Sequence, residues 1–460
     1  MKRVLVTALA ALTYFYGAAA ALSFGNTAKP VITITPDAAS GLDAIYVLWT
    51  TAGVTASYTA EAAGANATWA RYSNLGGAYA EPITNVSYSG RQSTITLDAR
   101  DMGYIIEDGG RQHCFWIVNY ADHAARLESL APGAEQDCDR VTLSFAGYAD
   151  RITYYSINGR ATELSRKMTL EYKTLVCDEE AMTYNQTTTT EEIDHITTTL
   201  SAPAPLCDTE FTLTGDRFLS KWGIAQSITS PSIAAHAVAA HTKAEQQLRE
   251  VENEQKPADS EALGGSAPCE ITFTAAVSDA AIFHEWQMAK DPDFGILDNT
   301  FTDLELAYTF QDQGTTYVRF RAANADGTCE YLSDTYQVFV GESDLKCPNA
   351  FSPFTSPGVN DEWRVSYKSI ITFECHIFNK WGTKMATLTD PSQGWDGRYA
   401  GKEVPAGVYY YVINAEGADG KQYKLSGDIN IIGYSYKGDA AGSDDTSGDA
   451  EAADTPATVE

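Results

Sequence analysis

The sequence predicts an all-β protein built from β-sandwich modules in series, and three observations support this fold class. Tyrosine, a strand-favouring residue, occurs 26 times, and threonine is also plentiful. Turn dipeptides such as Asn158-Gly159 and Asp419-Gly420 recur between short apolar runs. A chain of 460 residues is too long for one core. Its length therefore predicts three or four domains.

Residues 28–140 are predicted to form a first sandwich of the immunoglobulin or fibronectin type. Isoleucines alternate with threonines at 32–35, as in a half-buried strand, whereas 44–49 is a continuous apolar run that suits a fully buried strand. Trp69 and Trp116 lie inside strand-like runs. We therefore expect both rings to pack in the core; stacking against a glycan is the alternative.

Residues 141–244 are predicted to form a second β module. Asn158-Gly159 lies between two strand-like runs and predicts a two-residue hairpin. The threonine-rich stretch 185–190 is strand or loop material that carries no evident chemistry. Residues 233–241 suit either a helix, because they are rich in alanine, or a last edge strand, because the stretch is short and follows a proline.

Residues 245–265 are charged, contain Pro257 and end near Gly264-Gly265, which predicts a linker. The next stretch, 266–342, combines strand-like runs with conspicuous turn and aromatic residues. These are Ser266-Ala267-Pro268 before a strand at 271–273, Trp286 in a central strand, Tyr308 before Gly314, and a strand at 317–320 before the turn at 324–327.

This third module resembles a PKD-type immunoglobulin-like domain. The family's usual Gly-Asp-Gly after the tryptophan is replaced here by residues 290–293, Lys-Asp-Pro-Asp. The resemblance implies a spacer, or alternatively a contact for proteins or glycans.

The last predicted module, 346–433, holds a dense string of turn, aromatic and glycine motifs. Asp396-Gly397 and Asp419-Gly420 predict hairpins in a small antiparallel sandwich. We expect the rings beside two of its glycines, Trp381 and Trp395, to cover the sandwich core. The motif residues are Pro348, Asn349, Phe351 and Pro353; Asn360 and Asp361; Asn379, Trp381 and Gly382; Trp395, Asp396 and Gly397; Pro405, Gly407 and Tyr409; and Gly427.

These motifs, in this order, resemble the gliding-motility-associated C-terminal domain, a type B sorting module of the type IX secretion system of Gram-negative bacteria. The resemblance implies a cargo protein that the type IX machinery moves across the outer membrane, after which it stays at the cell surface or is released. The family's first loop is commonly rich in aspartate and glycine, whereas 354–357 lacks carboxylates, so a calcium site in that loop is unsupported. More than twenty residues follow the module here.

The two ends of the chain fit an exported protein. Residues 1–21 begin with Lys2 and Arg3, continue as an apolar run and end in small residues, which predicts a cleaved signal peptide. No later run is apolar and long enough to predict a transmembrane segment. Residues 438–460 carry seven acidic residues and no basic one, which predicts a disordered tail. The net charge of −29 argues against binding to nucleic acid or to anionic lipid.

Eight cysteines occur as four sequential pairs, about one pair per module, and in an exported protein an even count predicts disulfides. The connectivity cannot be deduced from the sequence, but the sequential pairing is the simplest expectation. No pair has the spacing of a zinc site, so no metal is predicted. The candidates are Cys114 and Cys138, Cys177 and Cys207, Cys269 and Cys329, and Cys347 and Cys375.

No catalytic motif is recognisable, so no catalytic residue and no cofactor are predicted. There is no metalloprotease helix, no serine nucleophile elbow and no phosphate loop. We therefore expect a non-enzymatic exported protein that acts by adhesion, scaffolding or display, with surface glycans or proteins as ligands. The alternative is a secreted glycan-active hydrolase with two catalytic carboxylates in the first two modules. The seven histidines are scattered: His113, His123, His195, His236, His241, His284 and His376.

Overall fold

A computed structural model of the chain describes residues 22–61, 66–255, 262–353, 355 and 358–433. The predicted signal peptide and acidic tail lie outside these ranges. The described residues form 39 strands and one short α-helix, which confirms the all-β prediction. No helix among them is long and apolar enough to cross a membrane. Two compact units divide the chain: one holds the residues up to 241 with 276–283 and 322–331, and the other holds the rest.

Ten strands build the first sandwich: β1 (Ser23–Gly25), β2 (Ile32–Ile34), β3 (Ala44–Leu48), β4 (Thr55–Thr59), β5 (Thr68–Tyr72), β6 (Glu81–Pro82), β7 (Ser87–Ser89), β8 (Gln92–Thr96), β9 (Met102–Asp108) and β10 (Arg111–Asn119). They form one sheet of order β1-β4-β8-β7 and a second of order β2-β3-β10-β9-β5-β6. Short 3₁₀ turns span Ala38–Ser40, Gly77–Tyr79 and Tyr120–His123.

The core of this sandwich agrees with the sequence. Every residue of β3 is buried, because one face of the strand, with Ile45 and Val47, packs into one hydrophobic cluster and the other face packs into a second. Trp69 and Trp116 are each 2% exposed, which confirms their core position. Nε1 of Trp69 donates to the Ser93 hydroxyl at 2.8 Å, so its polar atom is satisfied inside the core. Neither ring is free to stack on a glycan.

Nine strands and one helix build the second sandwich: β11 (Arg126–Gln136), β12 (Arg140–Tyr148), β13 (Ile152–Tyr155), β14 (Ala161–Leu164), β15 (Met168–Asp178), β16 (Thr183–Ile193), β17 (Thr199–Pro203), β18 (Thr212–Gly215), α1 (Arg217–Lys221) and β19 (Gln226–Thr229). The sheets are β11-β12-β17, β13-β14 and β16-β15-β18-β19. β11 precedes residue 140 but pairs with β12, so the second sandwich takes its first strand from the segment predicted for the first.

The predicted hairpin around Asn158-Gly159 is present between β13 and β14. The Ser156 amide donates to the Arg160 carbonyl, and the Gly159 amide donates to the Ser156 carbonyl. The loop thus has three residues instead of two, and its last residue, Gly159, has φ +78°. A glycine suits this position because side chains disfavour positive φ. Residues 233–241 begin as irregular chain and end in a strand, so the helical alternative is wrong.

The first two sandwiches share one hydrophobic core. The Tyr120 ring, just after β10, lies 5.1 Å from the ring of Trp222, just after α1. Nε1 of Trp222 donates to the Pro30 carbonyl at 2.7 Å. Beside these rings, Arg166 and Asp216 form an ion pair at 2.5 Å with side chains 3% and 0% exposed. Residues from both sandwiches are therefore needed to complete this core.

Nine strands build the third sandwich: β20 (Ala240–Gln246), β21 (Leu263–Gly265), β22 (Cys269–Val277), β23 (Phe283–Ala289), β24 (Asn299–Phe301), β25 (Glu305–Phe310), β26 (Gly314–Ala323), β27 (Glu330–Leu332) and β28 (Tyr336–Val340). The sheets are β20-β22-β25 and β21-β28-β26-β23-β24, with β27 also beside β26. Trp286 is fully buried in the interior strand β23, as expected. Both ends of the predicted linker, 245–265, belong to strands β20 and β21.

Eleven strands build the last domain: β29 (Asp344–Lys346), β30 (Ala350–Phe351), β31 (Trp363–Arg364), β32 (Ser366–Lys368), β33 (Ile370–Phe378), β34 (Lys384–Leu388), β35 (Gly394–Trp395), β36 (Arg398–Tyr399), β37 (Lys402–Glu403), β38 (Gly407–Gly417) and β39 (Gln422–Ile431). The main sheet has the order β30-β39-β38-β33-β34, and three two-stranded ribbons, β29-β32, β31-β35 and β36-β37, accompany it.

Candidate functional site: the C-terminal domain

The opening motif ties the start of the domain to its last strand through backbone groups. The Asn430 amide and its side-chain nitrogen donate to the Asn349 carbonyl at 2.9 and 3.0 Å. Nε1 of Trp363 donates to the Pro348 carbonyl at 2.7 Å. Phe351 is buried, with its ring 5.6 Å from that of Trp395. These motif residues close the sandwich and present no reactive group to solvent.

The Asn360-Asp361 motif shapes the loop before β31. Asn360 has φ +54°, a conformation that asparagine tolerates better than most residues. Its carbonyl accepts from the Ser352 amide at 3.0 Å, and Asp361 Oδ2 accepts from the Gly358 amide at 2.5 Å. Both residues thus act as turn formers. The carboxylate-poor stretch 354–357 lies mostly outside the described residues.

The Trp395-Asp396-Gly397 motif is a bend and not the predicted hairpin turn. Trp395 pairs with Trp363 of β31, which lies more than thirty residues earlier, and so β35 and β36 do not pair with each other. Asp396 Oδ1 accepts from the Arg398 amide at 3.0 Å. Gly397 has φ +73°, and a Cβ there would lie 3.1 Å from Cγ of Pro353.

The two-residue hairpin of this region lies a few residues later, between β36 and β37. Tyr399 pairs with Lys402, so the turn consists of Ala400 and Gly401. Both have positive φ, +47° and +78°, as a type I′ turn requires. The sequence did not predict this turn because alanine is an unfavourable residue at its first position. The second predicted hairpin, at Asp419-Gly420, is confirmed between β38 and β39.

The Asn379-Trp381-Gly382 motif forms the turn between β33 and β34. Asn379 Oδ1 accepts from the amides of Trp381 and Thr383 at 3.0 and 2.9 Å, and Gly382 has φ +81°. The Trp381 side chain is 78% exposed, with Lys380 Nζ 4.5 Å from its ring centroid. The prediction that this ring covers the core is wrong. Because the turn is fixed by Asn379 and glycine, the ring projects from it into solvent.

Trp395, by contrast, is 3% exposed, so the prediction for this second tryptophan is confirmed. Its ring lies 5.1 Å from that of Tyr409, whose hydroxyl donates to the Pro405 carbonyl at 2.9 Å. Gly407 begins β38 just before this tyrosine. Gly427, on β39, faces Tyr411, and a Cβ there would lie 2.7 Å from the tyrosine oxygen. These glycines and prolines therefore serve close packing.

An exposed apolar strip on the outer face of β38 was not predicted from the sequence. Val408, Tyr410 and Val412 are 44%, 46% and 41% exposed and alternate with residues that are buried or, at Tyr411, half-buried. Phe378 of the neighbouring strand β33 lies directly opposite Tyr410 and is half-buried. One sequence feature indicates this strip: residues 408–413 form a continuous apolar run, although only one face of a sheet in a two-layer sandwich is covered.

A second feature missed is the contact that residues 253–255 make with this domain. The side-chain nitrogen of Asn253 donates to the Val365 carbonyl at 2.7 Å. The Gln255 amide donates to the Tyr367 carbonyl at 2.8 Å, and Asn253 accepts from the Tyr367 amide through its own carbonyl. The middle of the predicted linker is thus an ordered segment beside β32, and no local sequence pattern distinguishes such pairing from a free linker.

Hydrogen bonds also order the turn at Asp419. Partial burial disfavours its charged form, but the Ser343 hydroxyl and the Lys421 amide donate to the carboxylate and outweigh that effect, so its pKa is lowered. The Ser343 oxygen also contacts the Tyr423 hydroxyl at 2.8 Å. This carboxylate stabilises the hairpin by accepting hydrogen bonds from Ser343 and Lys421.

The disulfide connectivity differs from the sequential pairing that was expected. The described residues contain one disulfide, Cys138–Cys329, across 191 positions. The expected Cys114–Cys138 and Cys269–Cys329 bridges are therefore wrong, because one cysteine of each is bonded elsewhere. Local spacing could not predict this, since only the folded chain brings the end of β11 to the loop after β26. The other six cysteines are thiols: Cys114, Cys177, Cys207, Cys269, Cys347 and Cys375.

In the terminal domain, Cys347 and Cys375 lie in or against the core. Burial raises the pKa of Cys375 to about 12, and the nearby Cys347 adds to the effect. Burial also raises the pKa of Cys347, partly offset by a hydrogen bond from Tyr411. The predicted bridge between these two cysteines is not formed in this structure, and neither is the one predicted between Cys177 and Cys207.

The described residues contain no group of three or more His, Cys, Asp or Glu side chains that could hold a metal ion. A cleft of about 400 Å³ in the first sandwich includes Arg71, Glu81 and Asp98. Arg71 lies 2.8 Å from Asp98 and 3.4 Å from Glu81. Both carboxylates are therefore engaged by the same guanidinium.

Comparison with known proteins identifies two of the modules. Residues 345–431 match the family described as the CHU_C type IX secretion signal domain, which confirms the sorting domain recognised from its motifs. Residues 130–230 match the fibronectin type III family named Fn3_FA, within the second sandwich. No curated protein sequence matches the chain significantly. The chain is thus a series of β-sandwich modules that carries a type IX secretion signal domain.

Several solved structures are similar to the chain at low identity and low TM-score. A tetra-tandem repeat from the extending region of a large adhesion protein is 14% identical, covers 84% of this chain and 96% of its own, and has a TM-score of 0.21. The FN1–FN3 domains of chicken CNTN1 are 14% identical, with coverages of 67% and 97% and a TM-score of 0.24. Three N-terminal domains of the bacteriophage RB49 Hoc capsid protein are 8% identical, with coverages of 68% and 100% and a TM-score of 0.22.

Proposed function

We propose that the chain is a type IX secretion cargo that acts without catalysis at the cell surface or outside the cell, in adhesion, scaffolding or display. The observation that carries this proposal is the secretion signal domain at residues 345–431. The fibronectin type III match at 130–230 supports a role in spacing or contact. Surface glycans or proteins are the proposed ligands, and the third sandwich is proposed to be a PKD-like spacer.

Deletion of the terminal domain tests the export route. A chain that ends at Glu342, before β29, should cross the inner membrane and remain in the periplasm. A matched chain that ends at Gly433 keeps the whole domain and should reach the surface. Cell fractionation with surface proteolysis measures both. Surface delivery of the shorter chain in normal amounts would contradict the proposal.

A polysaccharide-degradation assay separates this proposal from the hydrolase alternative. The purified protein should release no reducing sugar from a panel of plant, algal and bacterial polysaccharides. Release that is lost when Glu81 or Asp98 is changed to glutamine or asparagine would establish the alternative instead, since these are the paired carboxylates of the first-sandwich cleft.

A further inference from the structure

Strand β16, at the edge of the second sandwich, is unusually long and regular. All of its eleven residues pair with β15, from Met168 opposite Ile193 to Asp178 opposite Thr183, with no register shift. It is the end strand of the sheet β16-β15-β18-β19. Within the described ranges, its other edge therefore faces no strand. An unpaired edge presents a row of backbone donors and acceptors to solvent.

The same sandwich contains a second eleven-residue end strand that is protected. β11 contains Pro132 and has register shifts between Leu127 and Ser129 and between Pro132 and Gln136. Proline, bulges and lysine are the usual means by which natural edge strands avoid pairing with other chains. β16, with the sequence TYNQTTTTEEI, has no proline, bulge or lysine, and its two charged residues, Glu191 and Glu192, lie near its end, so that 185–190 carries no charge. The contrast lies within one module, so chain composition does not explain it.

The side chains of β16 leave its backbone accessible over most of its length. Residues 185–188 and Thr190 are exposed, whereas Thr189 and Glu191 are half-buried on the face nearer the core. Threonine is β-branched and favours an extended backbone. Tyr184 interacts with Tyr331, so the free stretch begins at Asn185.

We propose that β16 of a second copy of this chain pairs antiparallel with β16, about a two-fold axis at Thr188. This register places Asn185 opposite Glu191 and Gln186 opposite Thr190, and it brings no like charges face to face. The two four-stranded sheets then form one continuous sheet of eight strands. The interface uses the same patch on both copies, so assembly stops at a dimer.

Net charge gives this dimer a distinctive salt dependence. Each chain carries −29, so two copies repel each other at low ionic strength. Added salt screens this repulsion but hardly affects backbone hydrogen bonds between strands. Dimerisation should therefore strengthen as salt is raised, opposite to the behaviour of an interface held by ion pairs. This inference is independent of the export route.

Sedimentation equilibrium of the purified protein at low and high salt tests the pairing, with Thr188→Lys as the disrupting variant. Two ammonium groups would then meet at the two-fold axis, and we expect self-association to weaken by at least about tenfold. The matched control is Ser144→Lys, which places the same charge on an exposed position of β12. That strand is bonded on both sides, opposite Ala131 and Thr199, so the control should dimerise normally.

Hydrogen exchange of the backbone amides locates the interface. The amides in 185–191 that point away from β15, which are every second residue, should exchange more slowly at concentrations where the dimer forms, in the original chain and in Ser144→Lys but not in Thr188→Lys. Circular dichroism checks that all three chains fold alike. A monomer at every salt and concentration would overturn the proposal. A dimer unaffected by Thr188→Lys, or open-ended association, would overturn it as well, since either places the contact elsewhere.

Discussion

At the scale of single residues, the two motif tryptophans of the terminal domain have opposite environments. Trp395 is 3% exposed and contacts Phe351 and Tyr409, whereas Trp381 is 78% exposed at a turn tip. Trp395→Ala should therefore cost about 3 to 5 kcal/mol through the cavity it leaves. Trp381→Ala should change stability by no more than about 0.5 kcal/mol. Calorimetric unfolding of both variants measures the difference.

Export assays of the same two variants distinguish folding from recognition. Loss of export in Trp395→Ala is expected to follow from unfolding of the domain. If Trp381→Ala were also retained in the cell although its melting transition is unchanged, the exposed ring would be part of the surface that the secretion machinery contacts. Equal destabilisation by the two variants would contradict the burial difference.

The buried ion pair of the shared core is a second residue-scale feature. Asp216 accepts from the Tyr120 hydroxyl at 3.1 Å on both oxygens and also caps α1 through the amides of Phe218 and Leu219. Asp216→Ala leaves the guanidinium of Arg166 buried without its partner. We expect a loss of about 3 to 5 kcal/mol.

A matched exposed pair provides the control for Asp216→Ala. Arg111 and Glu61 lie 3.2 Å apart, but their side chains are 76% and 51% exposed. Glu61→Ala should cost no more than about 1 kcal/mol, because water and salt screen such pairs. Urea unfolding of the two variants gives the comparison. Equal effects would mean that the buried pair is not the element that holds the shared core together.

At the scale of elements, the hairpin between β36 and β37 offers a stabilising change. Ala400 has φ +47°, which costs an alanine roughly 1 kcal/mol relative to residues that tolerate this conformation. Ala400→Asn creates Asn-Gly, the preferred pair for a type I′ turn, and should raise stability by about 0.5 to 1 kcal/mol. The midpoint of thermal unfolding measures the gain.

Asp396→Asn is the control for Ala400→Asn, because Asp396 lies in the bend that was predicted from the sequence to be a hairpin turn. The side-chain oxygen of Asn can still accept from the Arg398 amide, so stability should stay within about 0.5 kcal/mol. A gain from Asp396→Asn equal to that from Ala400→Asn would indicate that Asp396-Gly397 is the turn that limits the hairpin, contrary to the strand pairing.

The dipeptides Asp419-Gly420 and Asp396-Gly397 show how far the sequence predicts secondary-structure elements. The turn at Asp419-Gly420 was predictable because its strands are neighbours in the chain, so local residues decide the pairing. Asp396-Gly397 has the same dipeptide, but β35 pairs with β31, and a long-range contact overrides the local preference. Trp381 shows the same limit of sequence-based prediction. An aromatic residue in a strand-rich motif predicts a core position, and only the geometry of the turn shows that this ring points into solvent. Long-range pairing and side-chain direction are therefore the parts that sequence could not supply.

At the scale of the whole molecule, the order of the modules could largely be predicted from the sequence, whereas the contacts between modules could not. The secretion signal domain was predicted from motifs that follow one another in a fixed order, and the comparison with the family confirms it. The shared core of the first two sandwiches depends on Tyr120 and Trp222, which lie about a hundred residues apart. Sequence periodicity describes each strand by itself. It carries no information about which modules share a core.

The disulfide provides a whole-molecule test of this long-range organisation. Cys138–Cys329 closes a loop of 191 residues, and a cross-link of that span is expected to contribute up to about 5 kcal/mol by restricting the unfolded chain. Dithiothreitol should therefore lower the unfolding temperature of the purified protein. The double variant Cys138→Ser/Cys329→Ser should unfold at that lower temperature with or without the reductant. Mass mapping of non-reduced peptides should recover the Cys138 and Cys329 peptides joined. A Cys114–Cys138 or Cys269–Cys329 peptide pair, or a double variant that still responds to dithiothreitol as the original chain does, would contradict the bridge, since another disulfide would then hold the fold.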